Sequence, residues 1–418
     1  MVLRTCARAG CGALLILGVT AASAWAQQSG PLSLREAVDR AITARPSLKA
    51  ESERVKVAEG MRQQAAARPN PEFEFANENL RPGQTYSRDV DTLAFIVQPL
   101  DVLGKRGRRI DAAAQAVTRT QAEYDLATLR AVRDVKLAYW RARGAQQSRD
   151  LLRTTVENFQ QIVDYNNARL RVGTIAEQDV LRVQLEGERL AITANLAALR
   201  ASRAESDLVK EIGDPSVTVS VLSEALDAAG QMEAVSADDV LARRPEMKIA
   251  RASLEEARAQ ARLQDALARP DLTLTYGYKR TQLPDMRTAS NTAIAGFGVR
   301  LPLFDRNAGN RAAASAETRR QEAMLEATRL DVLADYRAAS QDYSQRRTDV
   351  VGTLQPMREH AANISSIAQA VYVQTGGDLL RLLDAQRSRL DAELAWVDGM
   401  VDYQQSIVNL EAAEGVAR

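Results

Sequence analysis

The same series of short motifs occurs twice in the chain, about 200 residues apart, and this duplication constrains the fold more than any other feature. Arg45-Pro46 recurs as Arg244-Pro245, and Asp134-Val135 recurs as Asp331-Val332. Further pairs keep the same order: Arg68-Pro69 with Arg269-Pro270, Pro99-Leu100 with Pro302-Leu303, and Val180-Leu181 with Leu382-Leu383. A unit of this length is too long for a solenoid repeat, so we expect two copies of one domain-sized arrangement.

The first 26 residues have the pattern of an export signal. Arg4 and Arg8 precede an apolar stretch, and Ala24-Trp25-Ala26 is a small-x-small cleavage site, so we expect cleavage near Ala26. Both cysteines precede the apolar stretch instead of following it. We therefore expect no lipidation and a mature chain without disulfides.

Charge and composition exclude several classes of function. The 55 basic residues against 54 acidic residues give a net charge of only +1, without the strong positive charge that is typical of nucleic-acid binding. A Cys/His metal site needs three or four ligands, and the chain has one histidine, so we expect no resident metal. No nucleophile elbow, phosphate-binding loop or triad-forming histidine is present, which predicts no catalytic residues, no cofactor and no enzyme activity.

Each half begins with helices and continues with a β-hairpin. Ser33 and Ser236 are placed to cap the first helix of their repeat, and the helices are expected to end near Ala66 and Ala266. The hydrophobic period then changes to two, which indicates strands. The apolar sets of the four strands are Phe73 and Phe75; Leu93, Phe95 and Val97; Leu272, Leu274, Tyr276 and Tyr278; and Ala293, Ala295, Phe297, Val299 and Leu301.

A very long helix is expected after each hairpin. Residues 107–170 and 310–374 are rich in Ala, Leu, Glu, Arg and Gln, and at 1.5 Å per residue each could extend for about 100 Å. Pro356 should kink the second one. A short turn and a returning helix follow, and Thr174-Ile175-Ala176-Glu177 has the pattern of a capping box for the first returning helix.

The hairpins allow two interpretations. Four strands cannot close a membrane barrel, because an open edge in lipid leaves backbone polar groups unsatisfied. Either the hairpins form a small soluble sheet packed on helices, or several chains combine their strands.

This plan resembles the TolC family of trimeric outer-membrane efflux channels over essentially the whole mature chain. The resemblance is carried by Val172-Gly173-Thr174 leading to Asp179-Val180-Leu181, and by Leu382-Leu383-Asp384-Ala385-Gln386. Gly104 to Arg109 and Leu301 to Asn310 are similar to the cobalt-zinc-cadmium subgroup.

The resemblance implies a mainly α fold with a membrane β-barrel contribution, in which three copies form one β-barrel and one α-helical tunnel. After a signal peptide at 1–26, repeat 1 covers 27–230, with a transmembrane hairpin at about 71–100 and a helical hairpin at about 105–212. Repeat 2 covers 231–418, with corresponding hairpins at about 271–303 and 308–414.

The resemblance also implies site residues. Asp179 and Asp384 are candidate pore-gate residues with Arg381, which departs from the acidic residue expected in the family. The candidate adaptor-contact tips are Val172, Gly173, Thr174, Gly376 and Gly377. Independently of the resemblance, alternation makes Glu72, Glu74 and Lys279 candidate barrel-lumen residues.

The implied function is the outer-membrane channel subunit of a tripartite resistance-nodulation-division (RND) efflux system exporting cobalt, zinc, cadmium or nickel from a Gram-negative bacterium. Its implied partners are a periplasmic adaptor, an inner-membrane pump, outer-membrane lipids and two further copies of the chain. A TolC-like exit duct for drugs or secreted proteins is the alternative, and a coiled-coil periplasmic scaffold without a pore is a third possibility.

Overall fold

The computed structural model describes residues 30–80, 82, 90–227, 232–281, 290–375 and 378–416. The expected signal segment and two tip residues, Gly376 and Gly377, lie outside the described residues. The helices are α1 Leu34–Ala44, α2 Pro46–Ala66, α3 Lys105–Arg171, α4 Glu177–Ile212, α5 Ala237–Arg243, α6 Pro245–Leu267, α7 Ala308–Asp349, α8 Gln355–Thr375 and α9 Leu379–Ala413. A π-helical turn, Val350–Leu354, joins α7 to α8, and the strands are β1 Glu72–Glu78, β2 Asp91–Leu100, β3 Asp271–Thr281 and β4 Ser290–Arg300.

The two capping serines act as their sequence context predicts. The Ser33 side chain accepts a hydrogen bond from the backbone N–H of Glu36 at 3.1 Å, and Ser236 accepts one from Asp239 at 3.2 Å. Each cap satisfies an N–H group that the first helical turn leaves unpaired. The first helix of each repeat then stops at an Arg-Pro pair, whose proline becomes the first residue of the next helix.

A glycine in each repeat lies beneath this Arg-Pro break. Gly213 follows α4 with φ of 75°, and Gly415 follows α9 with φ of 78°. A Cβ atom on Gly213 would lie 3.1 Å from Arg45 Cα, and one on Gly415 would lie 3.0 Å from the carbonyl carbon of Arg243. Both sites have a positive φ and would hold a Cβ closer to the backbone than ordinary van der Waals contact. The duplicated sequence therefore forms the same contact twice, a glycine against an Arg-Pro pair, which we call the Arg-Pro lock.

The main hydrophobic core joins both repeats. Tyr139 of α3 is fully buried and donates a hydrogen bond to the carbonyl oxygen of Leu32 at 2.9 Å. Helix α9 crosses α3 at Gly144 and crosses the π-helical turn at Gly399, where glycine permits close approach. The core includes Val132, Val135, Leu208, Ile212, Tyr343, Val350, Val397, Met400 and Tyr403.

The long helices differ between the repeats. Helix α3 continues without interruption for 67 residues, whereas the corresponding segment of repeat 2 is divided into α7, the π-helical turn and α8. Pro356 lies immediately after that turn, as the second residue of α8. Proline has no N–H and its ring clashes with the carbonyl four residues earlier, so a straight α-helix is unfavourable at this position.

The four strands form one antiparallel sheet in the order β1-β2-β3-β4. Strands β2 and β3 come from different repeats and pair directly, with Ala94 opposite Tyr278 and Phe95 opposite Gly277. The sheet therefore joins the two hairpins, while β1 and β4 form its two edges within one chain.

Candidate functional site

One face of the sheet is largely apolar. Residues directly opposite each other in an antiparallel pair project to the same side. The register consequently places Phe73 beside Ile96, Tyr276 and Ala295, and the next row contains Phe75, Ala94, Tyr278 and Ala293. Phe73 and Phe297 are each more than 60% exposed, so none of the described residues covers these two side chains.

The other face of the sheet carries the predicted lumen residues. Glu72, Glu74 and Lys279 all project to this side, together with Thr273, Thr275 and Thr292. Lys279 Nζ lies 3.1 Å from Glu78 and 3.4 Å from Asp91, so its charge is neutralised locally. Glu72 and Glu74 are exposed. The polar face is therefore weighted towards negative charge near these two residues.

The apolar set predicted for β2, which is Leu93, Phe95 and Val97, lies on the opposite face of the sheet from the apolar sets of the other three strands. The register places Phe95 opposite Glu74 and Gly277, on the polar face. Alternation could not decide between the faces, because Ala94 and Ile96 on the other side of β2 are also apolar. A Cβ on Gly277 would lie 2.4 Å from Phe95 Cβ, so glycine provides the space for this phenylalanine.

A basic motif fastens α3 to the sheet. Lys105 Nζ lies 2.6 Å from the carboxylate of Asp271 at the start of β3, and its side chain is nearly buried. Asp101 accepts hydrogen bonds from the backbone N–H of Arg106 and from the Arg109 guanidinium. The motif from Gly104 to Arg109 therefore orients the long helix relative to the strands, a role that sequence reasoning missed.

The turn between α3 and α4 is a helical C-cap with an exposed apex. Gly173 has φ of 72° and donates its N–H to the carbonyl of Leu170 at 2.9 Å. Val172 is 72% exposed. Thr174 donates from both its N–H and its hydroxyl to the carbonyl of Arg169, each at 3.0 Å. The expected capping box is wrong, because Thr174 closes α3 and the cap residue of α4, Ala176, forms no side-chain cap.

The gate candidates lie at the starts of the returning helices. Asp179 is half-buried in the first turn of α4, whereas Asp384 is exposed in the second turn of α9. Asp378 caps α9 by accepting the N–H of Leu380 at 2.9 Å, and Arg381 lies 3.8 Å from the Asp378 carboxylate. Arg381 thus has an acidic neighbour at this exposed tip.

The two repeats are clamped together just behind the tips. Tyr372 of α8 donates its hydroxyl to Asn166 Oδ1 of α3 at 2.5 Å, and both residues are buried. Arg169 donates to the Tyr372 oxygen at 3.3 Å, and its guanidinium lies 5.6 Å from that ring centroid and 5.7 Å from the ring of Tyr165. Sequence reasoning missed this clamp, because Asn166 and Tyr372 are far apart in the chain and lie in different repeats.

A cavity of about 560 Å³ lies between the returning helices, lined by residues from α3, α4, α8 and α9. Its floor includes Phe159 and Leu190, and a Glu186–Arg387 ion pair bridges α4 and α9.

Two sets of features are absent from the part of the chain that the structure describes. None of its helices is both long enough and apolar enough to cross a membrane. Within the same ranges, no group of three or more His, Cys, Asp or Glu side chains could hold a metal ion.

Comparison with known proteins identifies relatives over nearly the whole chain. The cobalt-zinc-cadmium resistance protein CzcC of Cupriavidus metallidurans is 25% identical over 397 residues, covering 93% of this chain and 91% of CzcC. The CusC structure superposes with a TM-score of 0.77 at 18% identity, covering 92% of each chain. The open-state outer-membrane channel MtrE of Neisseria gonorrhoeae also gives 0.77, at 19% identity, covering 92% of this chain and 89% of MtrE.

These structural likenesses establish a TolC-like fold, as the resemblance implied. The model of the outer membrane efflux protein family matches two segments, residues 37–214 and 237–416, one in each half of the chain. The chain therefore belongs to the outer membrane efflux protein family.

Proposed function

We propose that this protein is the outer-membrane channel subunit of a tripartite RND efflux system that exports divalent heavy-metal cations. The single observation that carries the channel assignment is a four-stranded sheet with an exposed apolar face, an acidic polar face and two open edges, built on helices long enough for a tunnel. The family match and the relationship to CzcC support the same function.

Three chains would complete the β-barrel. In a trimer, β4 of one protomer would pair with β1 of the next, giving twelve strands without a free edge. The apolar face would then contact lipid, and the face with Glu72 and Glu74 would line the pore. Cross-linking in mild detergent should give a trimer as the smallest membrane-inserted species, and a stable inserted monomer would contradict this assembly.

Glu72 and Glu74 in the barrel, and Asp384 at the tunnel entrance, would favour cations at both ends of the pore. Three copies of Asp384 near the tunnel axis would attract cations and repel anions, with Asp179 as a second candidate. Asp384→Asn should lower cation preference, measured as the reversal potential of reconstituted channels in a salt gradient. Arg381→Ala should raise it by removing a neighbouring positive charge. Unchanged selectivity in both variants would make Asp384 only a helix-terminal charge.

The helical tips are the proposed contact with a periplasmic adaptor, which would connect the channel to the inner-membrane pump. Gly173 has an open environment and a positive φ, while Val172 and Thr174 are exposed beside it. We include Gly376 and Gly377 in this contact by their position in the chain. Gly173→Pro should impair export because proline cannot adopt a positive φ, whereas Gly173→Asn should be tolerated. Equal loss of trimer and export in Gly173→Pro would indicate a role in folding alone.

Metal export is tested by resistance in cells. Deletion of the gene should lower the tolerated concentration of cobalt, zinc, cadmium or nickel, and complementation should restore it. A strain that keeps its metal resistance but becomes sensitive to organic compounds, or fails to secrete a protein, would support the alternative of a drug or protein exit duct.

The protein should fractionate with outer membranes after removal of the segment ending near Ala26, without lipid attachment. A periplasmic scaffold would stay soluble.

A further inference from the structure

The connection between β4 and α7 exposes a cluster of apolar side chains. Leu301 and Leu303 continue the two-residue spacing of Phe297 and Val299, which project to the apolar face of β4. Both leucines are about 60% exposed, and the side chain of Phe304 is fully exposed. This cluster therefore adds exposed apolar surface between the end of β4 and the start of α7.

A positively charged group follows the apolar cluster directly. Arg306 is exposed and forms no ion pair with any residue in the described ranges. The carboxylate of Asp305, the residue before Arg306, instead accepts a hydrogen bond from the backbone N–H of Asn307 at 2.8 Å. Asn307 in turn donates to the carbonyl of Gln264 at 2.9 Å. The base of this segment is thus fixed to α6 while Phe304 and Arg306 point to solvent-accessible space.

The matching connection in repeat 1 is built differently. Asp101 there accepts hydrogen bonds from the backbone N–H of Arg106 and from the Arg109 guanidinium, and the Arg106 guanidinium donates to the carbonyl of Ala66. That connection contains Val102 and Leu103 but no aromatic residue. The exposed combination of an aromatic ring and a free guanidinium is therefore a property of repeat 2.

We propose that Leu303, Phe304 and Arg306, which we name the β4 hook, anchor the protein in the periplasmic leaflet of the outer membrane. Phe304 lies at the level of the lipid headgroups, and Arg306 binds the phosphate of an anionic phospholipid. Aromatic side chains are favoured at this depth, and guanidinium groups bind phosphate through paired hydrogen bonds. This inference rests on the proposed function, because it requires the strands to cross the membrane.

A lipid surface fits the β4 hook better than a second protein chain. The hook follows directly after β4, whose apolar row would face lipid in the proposed barrel. A fully exposed phenylalanine followed within two residues by an unpaired arginine also matches the change from hydrocarbon to anionic headgroup.

The location of the hook can be measured with a fluorescent reporter in the complete trimer. Phe304→Trp should be quenched by phospholipids carrying a spin label near the headgroup, after subtraction of the unsubstituted protein with its native tryptophans. Leu303→Trp is a second reporter on the same segment if the first lowers the trimer yield. Ile367→Trp in α8, at a position as exposed as Leu303, is the matched control and should not be quenched by labelled lipid.

The anionic headgroup is tested in the same reporter. Phe304→Trp should be quenched about fivefold more effectively by labelled phosphatidylglycerol than by labelled phosphatidylcholine at equal low fractions, the ratio equivalent to about 1 kcal/mol for one arginine at an anionic surface. Adding Arg306→Gln should remove this preference while leaving the trimer intact. Equal quenching by both lipids in the presence of Arg306 would overturn the phosphate contact.

Other outcomes separate the inference from the proposed function. Strong quenching by iodide without quenching by lipid would place the hook in water and overturn the inference. Blue-shifted emission that neither quencher reduces would place it between protomers, with the same consequence. If the unsubstituted protein does not insert into nanodiscs as a trimer, the proposed function itself fails, and this is seen before any substitution is made.

Discussion

The long helical segments that lead to the tips differ in backbone conformation between the two repeats. Helix α3 is continuous, and its partner in repeat 2 is interrupted by the π-helical turn Val350–Leu354 before Pro356. Both pack against α9, which meets α3 at Gly144 and the π-helical turn at Gly399. Both crossings therefore use a glycine although the helical winding differs between the repeats, and we infer that the fold depends more on these close crossings than on an uninterrupted α-helix.

Introducing proline into the continuous helix should have the largest effect. Thr154 is an exposed residue of α3 in the stretch matching Pro356, so Thr154→Pro removes little packing. Without a π-helical turn to accommodate the ring, the substitution should destabilise the protein by about 3 kcal/mol or more. The thermal unfolding of purified protein, followed by circular dichroism, measures this loss.

Pro356→Ala is the matched control for that substitution. It restores a missing N–H within a backbone already adapted to proline, so we expect a change in stability within about 1 kcal/mol. Similar large losses in both variants would show that the π-helical turn does not serve to accommodate Pro356.

The course of the long helices was predictable from the sequence, but the π-helical turn was not. Residues 107–170 are helix-compatible without a proline, and the structure confirms one continuous helix there. In repeat 2, Pro356 indicated a disturbance but not its form. A π-helical turn contains about one residue more than an α-helical turn, and so small a change in the spacing of apolar residues cannot be recognised in the sequence.

Residues of the candidate site were predictable only where their role depends on neighbours in the sequence. Gly173 lies in the short turn that the sequence predicts, where glycine readily adopts a positive φ, and its φ in the structure is 72°. The clamp of Asn166 with Tyr372 depends on the local approach of α3 and α8 near the tips. Neither helix carries a local signal for that partner.

The glycine crossings sharpen the comparison at the level of side chains. A Cβ on Gly144 would lie 2.1 Å from Val401 Cγ2, and a Cβ on Gly399 would lie 2.2 Å from Leu354 Cδ1. Valine is stiff at χ1, whereas the end of a leucine can move. Gly144→Ala should therefore lower the free energy of unfolding by about 1–2 kcal/mol, while Gly399→Ala should be nearly neutral because helix propensity offsets the strain.

Equal effects of these two variants, measured by chemical denaturation, would contradict the assignment of Leu354 as the adaptable side. Gly352→Ala in the π-helical turn is a useful reference, because a Cβ there meets nothing within 4 Å.

The Arg-Pro locks should respond alike in both repeats. Gly213→Ala and Gly415→Ala each place a Cβ against the backbone of the break and force a residue other than glycine into positive φ, so we expect losses of about 1–2 kcal/mol. Gly173 has a similar positive φ, but a Cβ there would meet no atom within 4 Å. Gly173→Ala therefore measures the cost of the backbone conformation alone. If all three melt at the same temperature, the contacts with the breaks contribute nothing.

We expect the smallest change in stability from the residue that precedes the glycine of each Arg-Pro lock. Ile212 is fully buried in repeat 1, and the matching residue of repeat 2 is Glu414, which is 5% exposed with an unpartnered Oε1. Burial, aided by Glu411, raises the pKa of Glu414 above its usual 4.5, and Arg243 only partly opposes the shift. The folded protein therefore holds a proton at pH values where the unfolded chain has lost it, so stability falls as pH rises through the raised pKa.

Glu414→Gln should match the unsubstituted protein below pH 4.5 and become more stable above it, by less than about 1 kcal/mol at neutral pH. Glu414→Ile copies repeat 1 and should change stability in the same direction. Glu411→Gln is the control of opposite sign, because Glu411 lies 2.7 Å from the nearly buried Lys136 and its carboxylate stabilises that ammonium. Unfolding midpoints at several pH values measure all three. A Glu414→Gln advantage that does not depend on pH would show that Glu414 distinguishes the second lock from the first by its shape and not by its charge.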